Sequence, residues 1–250
     1  MRQESERAAL VDAVLTDALL FSLISAAATL LGGFLALRTG LKNIGLRYLL
    51  AFASGLIISI AFFEMIPQAN ISSLQQNAFA LGAGFFLVYL VEKLVMIHAC
   101  GEKECETHAV GWVSIVGIAL ESLIDGVAIA AAFLANPALG IVVAAAVIAH
   151  ELPRGFSTAV IMRSAKLPNV LVWGSVLADA FLTPIGVLIA VFIPLPIETL
   201  IAFTAGTFLY IGASDLLPEA HQKFNIQVIA CVFLGVVVFF VIETLSAGLL

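Results

Sequence analysis

Three short stretches of an otherwise apolar chain carry side chains that could do chemistry. Glu121-Ser122-Leu123-Ile124-Asp125-Gly126 sets two carboxylates four residues apart, on one face of a helix. His150-Glu151-Leu152-Pro153-Arg154-Gly155 sets an imidazole and a guanidinium at the same spacing, with Glu151 between them. Asp179 and Thr183 repeat it once more, followed by Pro184. Pro153 has no backbone N–H and frees the carbonyl of Ala149 one turn earlier. Carboxylates and an imidazole converging in a dry place are costly unless a cation neutralises them. A divalent metal does so, and this donor mix suits zinc, ferrous iron, manganese or cadmium better than copper(I), which prefers sulfur. Two other readings stay open: a salt-bridge network closed by Arg154, and a metal-free relay of protonated carboxylates. A metallohydrolase would need a second histidine at i+4 after His150, where Arg154 stands. No enzyme is expected.

The elements that must hold these residues are membrane spans. Of 250 residues, 62% are hydrophobic and 11% charged, where a soluble domain runs near a quarter charged. Lipid must solvate such a chain, and a nucleic-acid partner is not expected. A bilayer core takes about 20 apolar residues as helix, and eight stretches qualify, at roughly 17–37, 48–69, 78–97, 110–134, 137–162, 169–193, 197–217 and 224–246. The tightest breaks are at Asn136-Pro137 and Pro194–Pro196. Lys and Arg cluster after odd-numbered spans (Arg38, Lys42, Arg47; Lys93, Lys103; Arg163, Lys166; Lys223) and are missing from the loops after spans two, four and six. By the positive-inside rule both termini are extracytoplasmic. The expected layout is one transmembrane domain, 1–250, with an outer N-terminal segment at 1–16 and a cytoplasmic loop at 98–109. The formal net charge of −6 says little about partners, because much of the acid lies inside apolar segments.

Two spans repeat each other. From Ser54 the chain reads S-G-L-I-I-S-I-A-F-F-E-M-I-P-Q-A, and from Ala205 A-G-T-F-L-Y-I-G-A-S-D-L-L-P-E-A. Gly55 aligns with Gly206, Glu64 with Asp215, Pro67 with Pro218. Spans two and seven cross in opposite directions, the mark of an inverted-topology repeat. With the weaker match between spans four and five, the chain reads as an all-α, 3+2+3 inverted repeat. Glu64 falls near the outer end of span two. Asp215, Glu219 and His221 fall near the inner end of span seven, where acids would concentrate cations. The loop after span three reads His98-x-Cys100-x4-Cys105-x2-His108, a possible tetrahedral zinc site of non-standard spacing, or a flexible loop with reduced thiols. Three cysteines suggest no disulfide framework.

On E-S-L-I-D-G, H-E-L-P-R-G and G-T-F-L-Y-I-G-A-S-D-L-L-P-E, the chain resembles the ZIP (Zrt/Irt-like) family of divalent metal transporters, in a prokaryotic-type form with a variant site. The resemblance implies eight helices, a homodimer in the cell membrane, and inward transport of a divalent transition metal, zinc first. It implies a primary metal site from Glu121, Asp125 and His150, with Ser122 and Glu151 at second-site positions. Thr183 stands where a helix-six acid is common, and Asp179, one turn away, is a substitute ligand. Arg154 departs from the pattern, standing where family members place a bridging His or Glu. Its charge is expected to take the place of a second metal, or, in the alternative reading, to lock the site of a non-transporting metal sensor or structural protein.

Overall fold

The computed structural model describes residues 2–39, 46–71, 75–99, 107–190, 192–193, 195–221 and 225–247. Among them there is no strand. Eight helices are long and apolar enough to cross a membrane. They are α1 (Arg2–Thr39), α2 (Leu46–Gln68), α3 (Gln75–Ala99), α4 (Thr107–Ala135), α5 (Pro137–Ser164), α6 (Asn169–Ala190), α7 (197–220) and α8 (Ile226–Ala247).

Both tight breaks separate helices. Asn136 is extended, and its side chain accepts the Leu139 N–H at 2.7 Å, capping α5 beside Pro137. Pro196, with ψ of 143°, precedes α7. Some helices overrun the expected boundaries, while α6 stops at Ala190, short of 193, and α8 starts at Ile226, after 224. The first begins at Arg2, well before position 17, because a run of Glu, Arg, Ala and Leu has high helix propensity. Helices α3 and α4 reach Ala99 and start at Thr107, which shortens the expected 98–109 loop.

Helices α2 and α7 each contain a wide π turn, at Ala61–Met65 and Ile211–Leu216. The N–H of Ile66 donates to the carbonyl of Ala61, and that of Leu217 to Gly212. Pro67 and Pro218 follow at once. A proline cannot donate to the carbonyl four residues back, and a local widening re-pairs the freed groups.

Packing is arranged in matched pairs. A Cβ on Gly126 of α4 would strike the Thr183 carbonyl of α6, and one on Gly155 of α5 would strike the Thr29 carbonyl of α1. Gly186 lies against Leu123, and Gly32 against Leu152. The offset that carries Gly126 onto Gly155 also carries Leu123 onto Leu152. The offset from Thr29 to Thr183 also carries Gly32 onto Gly186. In the other group, Gly55 of α2 meets the Val232 carbonyl of α8, and Gly206 of α7 meets that of Leu81 in α3. Backbones approach this closely only where a side chain is missing, the usual means of packing helices that gain nothing hydrophobic from each other in lipid. The tightest pairs are therefore α1 with α5, α4 with α6, α2 with α8, and α3 with α7. In α3 and α8 most of the surface is uncovered.

Candidate metal centre

Helices α4 and α5 bring three predicted ligands together. One oxygen each from Glu121 and Asp125 and one nitrogen of His150 lie within 4.8 Å of one another. Asp125 and His150 are buried, their side chains 0% and 1% exposed, while Glu121 keeps 19%. The close α4–α6 and α1–α5 contacts at Gly126 and Gly155 hold these turns in place. Nδ1 of His150 lies 3.1 Å from the carbonyl of Ala146, which can only accept. In the neutral ring with Nδ1 donating there, the Nε2 lone pair is left to accept from Arg154 Nη1, 3.4 Å away, beside Asp125 Oδ2 at 3.3 Å, and it is the lone pair a metal-ligating imidazole uses. Asp125 Oδ1 is buried with no hydrogen-bond partner.

Arg154 stands in the middle of this group. Its Nη1 is 2.6 Å from Asp125 Oδ2, 3.2 Å from Glu121 Oε1 and 3.4 Å from His150 Nε2. Its Nη2 donates to Ser122 Oγ at 3.1 Å and to Glu151. Its Nε, 3.6 Å from Asp179 Oδ1, has no hydrogen-bond partner. Four carboxylates thus surround one guanidinium.

The remaining predicted residues divide. Glu151 is buried and accepts from Thr29 as well as Arg154. Asp179 accepts from Ser122 at 2.5 Å and from Thr158 at 3.0 Å, outside the group of three. Thr183 is buried with its hydroxyl unpartnered. Glu64 accepts from Gln68 at 2.8 Å, and Gln68 accepts from Asn136 at 2.9 Å, at the opposite end of the spans. Nδ1 of His221 lies 3.2 Å from the Leu217 carbonyl. Cys100 and Cys105, and the side chains of His98, His108 and Glu219, lie outside the described residues.

A cavity of about 290 Å³ joins Glu121 to Asp215 of α7 and to Glu92 of α3, which accepts from Tyr210. Its lining includes Gly117, Ile161 and Asp215, near the ends of spans that face the Lys/Arg-rich loops. Sequence reasoning passed over Glu92 in favour of its neighbour Lys93, although an ionisable residue late in an apolar span is a signal in itself. It also passed over Thr29 and Thr158, whose hydroxyls look like any others in a small-residue helix.

A family model described as ZIP zinc transporter matches residues 97–243. The zinc transporter ZIP13 of Pongo abelii is 24% identical over 204 residues, covering 71% of this chain and 60% of its own length. The human zinc transporters ZIP10 and ZIP6 are 32% and 31% identical over 123 and 122 residues, 47% of this chain and 15% and 16% of theirs. The chain therefore spans only part of the length of these relatives. With eight apolar helices and a family match over more than half its length, this multi-pass membrane protein belongs to the ZIP zinc transporter family.

Proposed function

We propose that the chain carries a divalent transition-metal ion, zinc first, into the cytoplasm through Glu121, Asp125 and His150. The observation that carries this reading is the group of three, two oxygens and one imidazole nitrogen, with Asp125 and His150 buried and Glu121 opening onto a largely apolar cavity that Glu92 and Asp215 also line. Its donors are those of zinc sites, and no thiol is among them. Four carboxylates against one guanidinium leave a surplus of negative charge that a divalent cation reduces.

The ion enters past Glu64 and leaves along Glu121, Asp215 and Glu92, with Glu219 and His221 near the inner mouth. The lysine and arginine pattern supports placing the cavity on the cytoplasmic side and both termini outside. The paired π turns and paired glycine contacts support a 3+2+3 inverted repeat, in which α1, α4, α5 and α6 rock against the other four. A homodimer in the cell membrane, a single transmembrane domain over 1–250 and a loop zinc site at His98, Cys100, Cys105 and His108 complete the reading. In it Glu151 and Asp179 hold Arg154 rather than the ion.

A second reading draws on the same guanidinium: a metal sensor or structural protein whose site Arg154 locks. Uptake of zinc into proteoliposomes separates the two. Transport predicts saturable zinc entry that Asp125→Ala abolishes. Wild-type vesicles no faster than protein-free ones for zinc, cadmium, iron and manganese would leave only the locked site.

A further inference from the structure

The three proposed metal ligands already hold a cation that belongs to the protein. Nη1 of Arg154 lies within hydrogen-bonding reach of Asp125 and Glu121 and 3.4 Å from the His150 ring nitrogen. The spacing of the three suits such a donor. Their ligand atoms lie within 4.8 Å of one another. Bonds of about 2.0–2.2 Å to a zinc ion would hold any two of them no more than about 4.4 Å apart. An ion and Nη1 therefore cannot share the position, for lack of room and because two cations would face each other across the same carboxylates.

A second position for the guanidinium is visible in its other contacts. Nη2 is anchored on Glu151 and Ser122. Nε is a buried donor without a hydrogen bond, and Asp179 Oδ1 waits 3.6 Å away. Under about 1 Å of movement at Nε brings that pair to hydrogen-bond length, and a further turn of the guanidinium about its Nη2 anchor carries Nη1 out from among the three ligands. Both receiving carboxylates are fixed, Glu151 by Thr29 and Asp179 by Ser122 and Thr158. Neither belongs to the group of three.

We propose that Arg154 is a tethered competitor of the transported ion, which fills the place among Glu121, Asp125 and His150 and swings onto Asp179 when an ion enters. The inference rests on the reading of those three residues as the metal site. The carboxylates are never left facing a low-dielectric interior without a cation, so the carrier can return after unloading. The returning guanidinium also displaces the ion toward Glu121 and its cavity. Asp179 is then a positioning residue. It touches no ion, yet it sets the stability of the displaced guanidinium and through it the affinity for metal.

Calorimetric titration of zinc into the purified full chain in detergent tests this. Relative to wild type, R154Q should tighten zinc binding about tenfold or more, and D179N should weaken it by about three- to tenfold, in the range of ordinary coupling between sites. In the R154Q background the D179N change should shrink below about twofold, because the residue it positions is gone. The E151Q/R154Q double variant keeps the net charge of the cluster and should also tighten binding, which covers the case that R154Q alone does not fold. Unchanged affinity in both Arg154 variants overturns the proposal, as does a D179N effect of equal size with and without Arg154. D125A separates this failure from that of the site itself: if D125A binds zinc as wild type does, the three residues are not the site. If D125A loses binding while the Arg154 variants match wild type, the site stands and the competitor alone is refuted.

Discussion

Helices α4 and α5 are alike in packing and unlike in charge. Each turns a glycine, Gly126 or Gly155, onto the carbonyl of a threonine in the neighbouring helix. At the aligned positions α4 offers Glu121, Ser122 and Asp125, while α5 offers His150, Glu151 and Arg154. The glycines fix where the two backbones run, and that leaves the side chains one, four and five residues earlier free to differ. The difference reaches the threonines. Thr29 donates to Glu151, whereas the Thr183 hydroxyl has no partner, because the serine facing its helix is short and gives its own proton to Asp179. Likeness in packing builds the scaffold, and unlikeness in charge turns a symmetric pair into a site for one cation.

The largest expected effect removes the charge side of this comparison. Asp125→Ala should reduce zinc flux in proteoliposomes to the protein-free background, because it takes away the buried carboxylate shared by the imidazole and the guanidinium. Next come the matched glycines. Gly126→Val and Gly155→Val should each cost about 3 kcal/mol or more by overpacking, and by similar amounts, in thermal unfolding in detergent. A large inequality between them would break the equivalence of the two helices. Smaller again is the threonine pair. Thr29→Val should cost about 1–3 kcal/mol, as a hydrogen bond to a charged group is lost, while Thr183→Val should be neutral or slightly stabilising. The smallest is in the cavity. Glu92→Gln should slow zinc flux a few-fold while leaving zinc affinity in calorimetry unchanged, since Glu92 lines the cavity beside Glu121 and lies outside the group of three.

Much of this arrangement is legible in the sequence, for identifiable reasons. Hydropathy marks all eight spans, because the bilayer imposes one length and one composition on each. Four-residue spacing marks Glu121 with Asp125 and His150 with Arg154, because helical side chains four apart share a face. The alignment of Gly55 with Gly206 and Pro67 with Pro218 foreshadows two π turns. Their widening is invisible in a sequence, since Pro184 lies inside the continuous helix α6 with no such turn. Least legible is the pose of Arg154. Its charge and neighbours are plain from spacing, but which of four carboxylates each nitrogen meets depends on rotamers and on helix α6, remote in the chain. The same holds for Asp179, which reads as a substitute ligand and whose contacts with Ser122 and Thr158 no spacing announces.

Anomalous diffraction at the zinc edge, from crystals of the full chain grown with zinc, tests the metal site most directly. Within the membrane-spanning helices, a single strong peak bonded to Glu121, Asp125 and His150, with the Arg154 guanidinium turned toward Asp179, is the expected result. Zinc bound elsewhere in the membrane-spanning helices, with Arg154 Nη1 still among those three side chains, would contradict it.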